Sequence, residues 1–313
     1  MSLHDGRIVV TGGAGFIGTH LVEALVDNND VVVVDNGANG RDEWVHDDAH
    51  FLDGDLTDPA VVADAVTGDT DAVVHLAASK LVDTDTPRRQ FTDNSEMTFN
   101  VLERMDEVGV ENLVFTSSST VYGEAPRPTP EDYAPLEPIS VYGATKLAEE
   151  SLVSTYAHSH DIQSWVFRFA NIVGPRLRGA VIPDFIEKLR ENPESLTILG
   201  DGRQQKSYMH VSECVEAMRF AVEHADGAHN VFNLGTRTTT SVDRIADIVA
   251  EELGLDPDYE YTGGDRGWTG DVPRMRLSIE KLAALGWDPA QSSDDAVRQS
   301  ARELIDELCV TTG

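Results

Sequence analysis

A tyrosine and a lysine with the spacing of a proton-transfer pair lie near the middle of the chain. Tyr142 and Lys146 are four residues apart at the start of a predicted helix. Both side chains therefore share one helix face, where an ammonium group can stabilise a phenolate. A free tyrosine has a pKa near 10, and lowering it to neutral pH takes about three units, or roughly 4 kcal/mol. The pair has the chemistry of a general base with a cationic neighbour, although the same spacing also occurs by chance on surface helices.

A hydroxyl-rich segment precedes this pair. The residues from Thr116 to Gly123 read Thr-Ser-Ser-Ser-Thr-Val-Tyr-Gly and follow a predicted strand. Strand ends in an open parallel sheet face the ligand crevice, so hydroxyl groups here can relay a proton. The segment thus supports a catalytic interpretation of Tyr142 and Lys146.

A glycine-rich segment near the start has the pattern of a dinucleotide-binding loop. The first predicted strand ends at Thr11 and is followed by Gly-Gly-Ala-Gly-Phe-Ile-Gly, residues 12–18. Such glycines allow a tight turn and a close approach of the backbone to a pyrophosphate, which the next helix N-terminus then binds. Asp35 lies 17 residues after Gly18, near the ~20 expected for the acid that holds the adenosine ribose. Because a carboxylate repels a 2′-phosphate and Asn36 follows instead of Arg, the pattern favours NAD over NADP.

The elements that must position these residues alternate along the chain. Short β-branched runs predict strands at Ile8–Thr11, Val31–Val34, Ala72–His75, Leu113–Thr116 and Gln163–Phe167. Helical stretches between and after them include Ile17–Val26, Pro59–Val66, Arg89–Val108, Tyr142–His158, Asp184–Glu191, Ser212–His224 and Val242–Leu253. This alternation predicts an α/β fold with a doubly wound parallel sheet, the Rossmann arrangement.

The regular alternation of predicted strands and helices ends at about residue 170, which predicts a second region. Turn-rich pieces there indicate a smaller C-terminal substrate-binding region. We expect residues 1–170, with a contribution from about 208–236, to form the NAD-binding domain. Residues 171–207 and 237–313 would then form the substrate-binding region.

With these motifs the chain resembles the extended short-chain dehydrogenase/reductases, specifically the NAD-dependent sugar-nucleotide epimerases of the UDP-galactose 4-epimerase kind. The resemblance extends from the glycine-rich segment to Gly286-Trp287. It implies that Tyr142 is the catalytic base, that Lys146 modulates its pKa and binds ribose, and that Ser118 hydrogen-bonds the reacting hydroxyl.

Together with the glycine-rich segment, the resemblance implies one set of NAD contacts and one set of substrate contacts. The cofactor set is Gly12, Gly15, Phe16, Ile17, Gly18, Asp35, Asn36, Asp55, Leu56, Leu76, Ala77, Ala78, Lys80, Asn94, Tyr142 and Lys146. In it, Asn94 matches the asparagine that opens the helix beside the cofactor. The substrate set is Ser118, Ser119, Thr120, Tyr142, Asn171, Val181, Lys206, Arg266, Asp271 and Met275.

Several positions depart from the family pattern on the substrate side. Lys206 stands where the family usually has Arg, and a lysine is a point charge instead of a bidentate fork. Trp268 stands where a diphosphate-binding Arg often occurs, and Arg266 just upstream is the candidate replacement. Gly179-Ala180 precedes Val181 where relatives often carry Asn. The sugar is therefore less well specified than the fold.

The reaction that the resemblance implies is interconversion of UDP-galactose and UDP-glucose by transient oxidation at C4. Dehydratases and decarboxylases of this kind carry acidic residues at the positions of Ser119 and Thr120. A net reductase would use NADPH, which Asp35 disfavours. Two alternatives stay open: an epimerase for UDP-N-acetylhexosamines or UDP-uronates, with the flexible Met275 as a gate, and a non-catalytic NAD-sensing regulator.

The net charge of the chain limits the kinds of partner that it can bind. It has 55 acidic and 24 basic residues, a net charge of −31, and only 5 lysines beside 19 arginines. Such a field repels nucleic acid and anionic membranes. The Asp-rich, Lys-poor composition resembles that of halophilic proteins, although an acidic mesophilic enzyme is the plainer alternative. In molar salt the Debye length falls to about 3 Å and screens the self-repulsion.

The remaining expectations concern location and assembly. The first six residues lack the apolar core of a signal peptide, and no stretch approaches a membrane span, so a cytoplasmic protein is expected. Cys214 and Cys309 form neither a metal-ligand spacing nor a disulfide framework, and no metal site is expected. We interpret His210 as a packed, hydrogen-bonded residue. The resemblance further implies a homodimer joined by the predicted helices Arg89–Val108 and Tyr142–His158.

Overall fold

The computed structural model describes residues 3–79, 86–267 and 270–310. In its first half, strands and helices alternate: β1 (Arg7–Thr11), α1 (Phe16–Leu25), β2 (Asp30–Asp35), β3 (His50–Asp53), α2 (Pro59–Ala65), β4 (Ala72–His75), α3 (Pro87–Val108), β5 (Asn112–Ser118), α4 (Val141–Ser159) and β6 (Gln163–Phe169). The second half contains β7 (Asn171–Val173), α5 (Val181–Glu191), β8 (Ser195–Ile198), β9 (Gln205–Lys206), β10 (Tyr208–His210), α6 (Val211–His224), β11 (His229–Leu234), β12 (Thr240–Ser241), α7 (Val242–Leu253), β13 (Asp258–Tyr261), β14 (Arg274–Met275), α8 (Glu280–Leu285) and α9 (Ser293–Val310).

The main sheet has seven strands in the order β11-β6-β5-β4-β1-β2-β3. From β3 to β5 each neighbouring pair runs parallel. The chain winds outward from β1 in one direction and from β4 in the other, so the switch point lies between these two strands. There Thr11 and His75 are register partners at the carboxyl ends of β1 and β4. The predicted doubly wound α/β fold is confirmed, and its ligand-binding edge is located.

The valine runs form strands because both faces of the sheet are covered. On one face, alternate residues of the strands join apolar residues of α2, α3 and α4 in a single cluster that includes Val9, Val73 and Phe115. Trp165 on β6 is fully buried, and its indole N–H donates to the carbonyl of Ala225 at the end of α6. Buried on both faces, the strands show continuous apolar runs instead of alternation.

The chain divides into two compact units. The first comprises Met1–Val121, Val141–Arg168 and Val215–Phe232, and the second Tyr122–Ser140, Phe169–Cys214 and Asn233–Gly313. The second unit contains three small sheets: β7 with β10, β8 with β13, and β9 between β12 and β14. The hydroxyl-rich segment is thus divided: its first part, to Val121, belongs to the first unit, and Tyr122 begins the second.

Most element boundaries agree with the sequence-based expectation to within two residues, and α7 has the predicted bounds. In the main sheet, strands β3 and β11 were not predicted, and neither were the short strands β7–β10 and β12–β14 or the helices α8 and α9. Asn94 does not open its helix, which is a correction: α3 begins seven residues earlier at Pro87. A proline is favoured at the first helical position because its fixed φ suits the helix and its missing N–H would be unpaired there.

No helix within the described ranges is long and apolar enough to cross a membrane. The same ranges hold no group of three or more His, Cys, Asp or Glu side chains arranged to bind a metal ion.

Candidate active site

The glycine-rich segment forms a tight loop between β1 and α1. Gly12 has a φ of 69°, and a Cβ there would lie 2.6 Å from the backbone nitrogen of Ala77. A Cβ on Gly18 would lie 2.3 Å from the carbonyl oxygen of Gly12. These two positions admit only glycine, because the loop packs directly on backbone atoms of β4's carboxyl end and of its own turn.

The N-terminus of α1 is open to an anion. Gly15 occupies the N-cap, and no side chain caps the helix. The first backbone N–H groups of a helix have no intrahelical partner, and the helix dipole favours a negative charge there. The N–H groups after Gly15, which include those of Phe16, Ile17 and Gly18, therefore fit a pyrophosphate.

Asp35 is held in place at the end of β2. The backbone N–H groups of Ala14 and Gly37 donate to its two carboxylate oxygens at 3.1 and 2.9 Å. Burial raises the pKa of Asp35 above its ordinary value, against the lowering effect of these bonds. The bond from Ala14 connects the Asp35 carboxylate to the glycine-rich loop. The predicted ribose ligand is therefore in direct contact with the predicted pyrophosphate site.

Asn36 and Asp55 also lie together. The Asn36 side-chain amide donates to Asp55 at 3.4 Å, and the backbone N–H of Thr57 donates to the other carboxylate oxygen at 2.9 Å. The bond from Thr57 is the main cause that lowers the pKa of Asp55. Leu56 belongs to the buried apolar cluster, so its side chain is part of the core.

The segment after β4 faces the glycine-rich loop. The backbone N–H groups of Leu76 and Ala77 donate to the carbonyl and hydroxyl oxygens of Thr11 at 3.1 and 3.3 Å. Ala78 follows and is half-buried. Lys80, a predicted cofactor contact, lies outside the described residues.

Asn94 holds the end of this segment from the middle of α3. Its side-chain amide accepts from the backbone N–H of Ser79 at 2.7 Å and donates to the Ser79 carbonyl at 3.0 Å. Asn94 is fully buried. Its amide therefore fixes the backbone of the segment predicted to line the cofactor.

Ser118 and Thr120 form a hydroxyl pair at the end of β5. Thr120 donates to Ser118 Oγ from its hydroxyl at 3.0 Å and from its backbone N–H at 3.3 Å. A serine hydroxyl has two acceptor sites and one proton. Because both acceptor sites of Ser118 are used, its remaining capacity is to donate its own proton, which a hydrogen bond to a ligand oxygen requires. Ser119 lies between them, half-buried.

Tyr142 and Lys146 lie on the first turns of α4, as the spacing predicts. Tyr142 is half-buried, whereas Lys146 is almost fully buried. Burial raises the pKa of Tyr142 above its ordinary value, and the negative charge of Glu149 raises it further. The sequence pattern predicts a lowered pKa for Tyr142 instead, because it shows the lysine and not the nearby carboxylate.

Glu149 is the residue that sequence reasoning missed. Its Oε2 atom lies 3.3 Å from Lys146 Nζ, and both side chains are buried. From the sequence alone, one of two consecutive glutamates on a polar helix is expected to be exposed to solvent. The helical spacing to Lys146 was the available signal, since Glu149 lies three residues on and hence on the same face.

The predicted substrate residues of the second unit lie on its short strands and on α5. Asn171 begins β7, and its side-chain amide donates to the carbonyl of Ser207 at 3.3 Å. Val181 is the first residue of α5, and Met275 on β14 is buried. Within this unit Met275 pairs in register with Lys206 across β14 and β9.

The structure brings Lys206, Arg266 and Asp271 together. Lys206 Nζ and the backbone N–H of Gly267 both donate to the buried carboxylate of Asp271, at 2.5 and 3.1 Å. Arg266 donates to the carbonyl of Asp271 and to the carboxylate of Glu124, at 2.7 and 2.5 Å. The two predicted diphosphate-binding cations are thus adjacent, and each has an acidic partner.

One minor expectation is confirmed. His210 is buried, and its ring nitrogens lie 2.7 Å from Ser212 Oγ and 2.9 Å from Glu303 Oε2. Cys214 is a buried free thiol.

Comparison with known proteins identifies the family. The model of the NAD dependent epimerase/dehydratase family matches residues 8–235. A UDP-glucose 4-epimerase of Corynebacterium glutamicum is 30% identical over 304 residues, which cover 90% of this chain and 91% of the relative.

Solved structures agree with this match. A crystal structure of a UDP-galactose 4-epimerase is 45% identical, with a TM-score of 0.88 and coverage of 96% of this chain and 99% of that one. A UDP-N-acetylglucosamine 4-epimerase from Methanobrevibacter ruminantium, solved with UDP-N-acetylmuramic acid, is 29% identical, with a TM-score of 0.87 and coverage of 98% and 100%.

The uncapped helix N-terminus, the loop that admits only glycine and the held Asp35 carboxylate all fit NAD. The chain belongs to the NAD-dependent epimerase/dehydratase family, with NAD as its cofactor, and it is a sugar-nucleotide epimerase.

Proposed function

We propose that this protein interconverts UDP-galactose and UDP-glucose. The observation that carries the proposal is that the first unit holds Tyr142 and Lys146 on α4 and the Ser118–Thr120 hydroxyl pair at the end of β5. The positions at which relatives carry a dehydratase or decarboxylase acid are occupied here by Ser119 and Thr120. The site therefore supports proton transfer at a sugar hydroxyl without elimination or decarboxylation.

Each residue of the site has a defined task in this proposal. Tyr142 removes the proton from the sugar 4-hydroxyl and later returns it. Ser118, oriented by Thr120, donates a hydrogen bond to the same oxygen. Lys146 supplies the positive charge that favours the phenolate. The loop at residues 12–18 and Asp35 would hold NAD, which would supply reversible hydride chemistry at C4 with no net oxidation.

The two units have different tasks in the same proposal. The first binds NAD through the loop at residues 12–18, Asp35 and the predicted contacts near Asp55 and Ala77. The second binds the UDP part of the substrate. There Asn171, Lys206 and Arg266 would contact the diphosphate and Asp271 the uridine ribose, with Val181 and Met275 near the sugar.

The test is to mix the protein with UDP-galactose in molar KCl and follow UDP-glucose by NMR. We expect Tyr142→Phe to lower the rate roughly 10²- to 10⁴-fold, because the general base is lost. Tyr156→Phe on the same helix is the matched control and should keep full activity. A panel with UDP-N-acetylhexosamines and UDP-uronates decides among the sugars. A wild-type protein that leaves every one of them unchanged is not an epimerase.

We also propose that the chain forms a homodimer through α3 and α4, as the family resemblance implies. Phe91 and Phe99 support this, since they lie eight residues apart on one face of α3 and are each 41% exposed. Light scattering across salt concentrations measures the assembly state.

A further inference from the structure

Glu149 and Lys146 form a buried ion pair within the candidate active site. The Lys146 side chain is 2% exposed and that of Glu149 is 0% exposed, with Nζ and Oε2 3.3 Å apart. On another side the Lys146 ammonium lies 4.7 Å from the centre of the Phe115 ring. An ammonium group removed from water in this way keeps its charge only with a counter-ion. Glu149 is that counter-ion.

The second carboxylate oxygen of Glu149 is held by a chain of hydrogen bonds. Thr98 on α3 donates to Glu149 Oε1 at 2.7 Å, and Thr98 Oγ1 lies 3.2 Å from His75 Nε2. His75 Nδ1 lies 2.7 Å from the hydroxyl of Thr11, which accepts from the backbone N–H of Ala77. The chain therefore runs from the predicted NAD-lining segment to the catalytic lysine.

Every donor in this chain can point toward Glu149. Thr98 has one proton and donates it to the carboxylate, so it accepts from His75 Nε2–H, and His75 Nδ1 then accepts from the Thr11 hydroxyl. This requires a neutral imidazole. Burial, together with the charge of Lys146, lowers the pKa of His75 to about 3, so the ring is neutral at working pH. The network ends on the carboxylate of Glu149, whose pKa burial raises against the lowering effect of Lys146 and of the bond from Thr98.

The adjacent carboxylate has a different partner. Glu150 makes a bidentate pair with Arg168 on β6, at 2.9 and 2.7 Å. The charged or titratable side chains near the Lys146–Glu149 pair are Glu150 on the same helix with its partner Arg168 on β6, Tyr142 one turn earlier, and His75 on β4. Since Arg168 balances Glu150 and His75 is neutral, Glu149 is the charge that balances Lys146.

We propose that Glu149 is a positioning residue of this site, which holds the Lys146 ammonium in place and supplies the negative charge that balances it. This inference rests on the proposed function, because it gives Lys146 the task of assisting Tyr142.

A negative charge at Glu149 has a predictable effect on the pH dependence of activity. Burial raises the pKa of Tyr142, and the negative charge of Glu149 raises it further because it makes the phenolic proton harder to remove. Removing that charge should therefore lower the pKa of Tyr142. The limb of the activity profile that reports the ionisation of Tyr142 should then move to lower pH.

The experiment compares Glu149→Gln with wild type and with Glu150→Gln. In the NAD-loaded protein, Glu149→Gln should move the Tyr142 limb of the kcat profile to lower pH by about one to three units. Glu150→Gln also removes a buried carboxylate, one whose partner is Arg168, so it should lower the melting temperature and leave the Tyr142 limb in place. A Tyr142 limb that stays unmoved in Glu149→Gln overturns the proposal.

Glu149→Asp separates charge from position and covers the case in which Glu149→Gln does not fold. It keeps the negative charge on a shorter side chain. The Tyr142 limb should therefore return to the wild-type pH while kcat stays reduced several-fold. A Tyr142 limb that shifts in Glu149→Asp as far as in Glu149→Gln contradicts a role for the charge.

A readout without turnover separates this proposal from the proposed function. The ultraviolet absorbance of the phenolate, taken as the difference between each protein and its Tyr142→Phe counterpart, reports the ionisation of Tyr142 in the NAD-loaded state. We expect ionisation at lower pH in Glu149→Gln. If wild type epimerises no UDP-sugar, the proposed function fails, yet this titration still decides whether Glu149 acts on the pair.

Discussion

Two regions of this molecule are suited to bind phosphate groups, and they use different chemistry. In the first unit, the loop at residues 12–18 and the uncapped N-terminus of α1 present backbone N–H groups. In the second unit, Lys206 and Arg266 present positive side chains, and each already has a carboxylate partner, Asp271 and Glu124 respectively. One region relies on backbone geometry and the other on side-chain charge.

The difference matters because the chain carries a net charge of −31. Backbone N–H groups need no counter-ion and cannot be neutralised by nearby acids, whereas a cation in an acidic protein readily acquires an acidic partner. In the proposed function, a substrate diphosphate would compete with Asp271 and Glu124 for the two cations. NAD binding should therefore depend on steric fit, and substrate binding on charge.

The largest effect is expected from filling the glycine-rich loop. Gly12→Ala places a Cβ within 2.6 Å of the Ala77 nitrogen at a φ of 69°, and strain of about 1–3 kcal/mol should weaken NAD binding by up to about 100-fold. Gly109→Ala is the matched control, since Gly109 has a φ of 76° and nothing within 4 Å of its Cβ position. Fluorescence titration with NAD compares the two. Equal losses would show that the positive φ, and not the close approach, matters.

A smaller effect is expected from removing one cation of the second unit. Lys206→Gln should raise the KM for the UDP-sugar about tenfold with little change in kcat, because a charge-assisted hydrogen bond is worth roughly 1.5–3 kcal/mol. Lys188→Gln removes a lysine that pairs with Asp184 at 2.7 Å on the surface of α5. That variant should keep the wild-type KM. Steady-state kinetics at several UDP-sugar concentrations measure both. An unchanged KM in Lys206→Gln would show that the charge of Lys206 does not contribute to substrate binding in the second unit.

The smallest effect is expected from salt. Raising KCl from dilute buffer to about 1 M shortens the Debye length to about 3 Å, which screens long-range repulsion of the anionic substrate. Activity should rise, with the KM falling about two- to fivefold, while the contacts within a few ångströms persist. Sucrose at matched osmolality is the control. Maximal activity and stability in dilute buffer would refute the halophilic interpretation of the composition.

Much of the first region could be predicted from sequence because its signals are local. Gly12 and Gly18 belong to one short segment, and Asp35 ends the next strand, so spacing alone placed them near each other. The second region depends on distant contacts. Lys206 and Asp271 are 65 positions apart, and no local pattern indicates that they form an ion pair.

Within the candidate catalytic site, too, some residues could be recognised from local spacing, whereas the partners of their neighbours depend on distant contacts. Tyr142 and Lys146 were recognisable from their spacing on one helix. Glu149 and Glu150 are consecutive and chemically identical, yet one faces Lys146 and Thr98 while the other faces Arg168. Which acid meets which cation depends on the elements packed against α4.

The sequence by itself determined the alternation of strands and helices, the glycine-rich loop and the preference for NAD, because each follows from the order of residues within one or two elements. Only the tertiary structure decided the environment of the charges. Glu149 meets Thr98, 51 positions away, in a region closed to water. Burial and partner together determine the pKa of a group, and both depend on segments that are remote in the chain and adjacent in the fold.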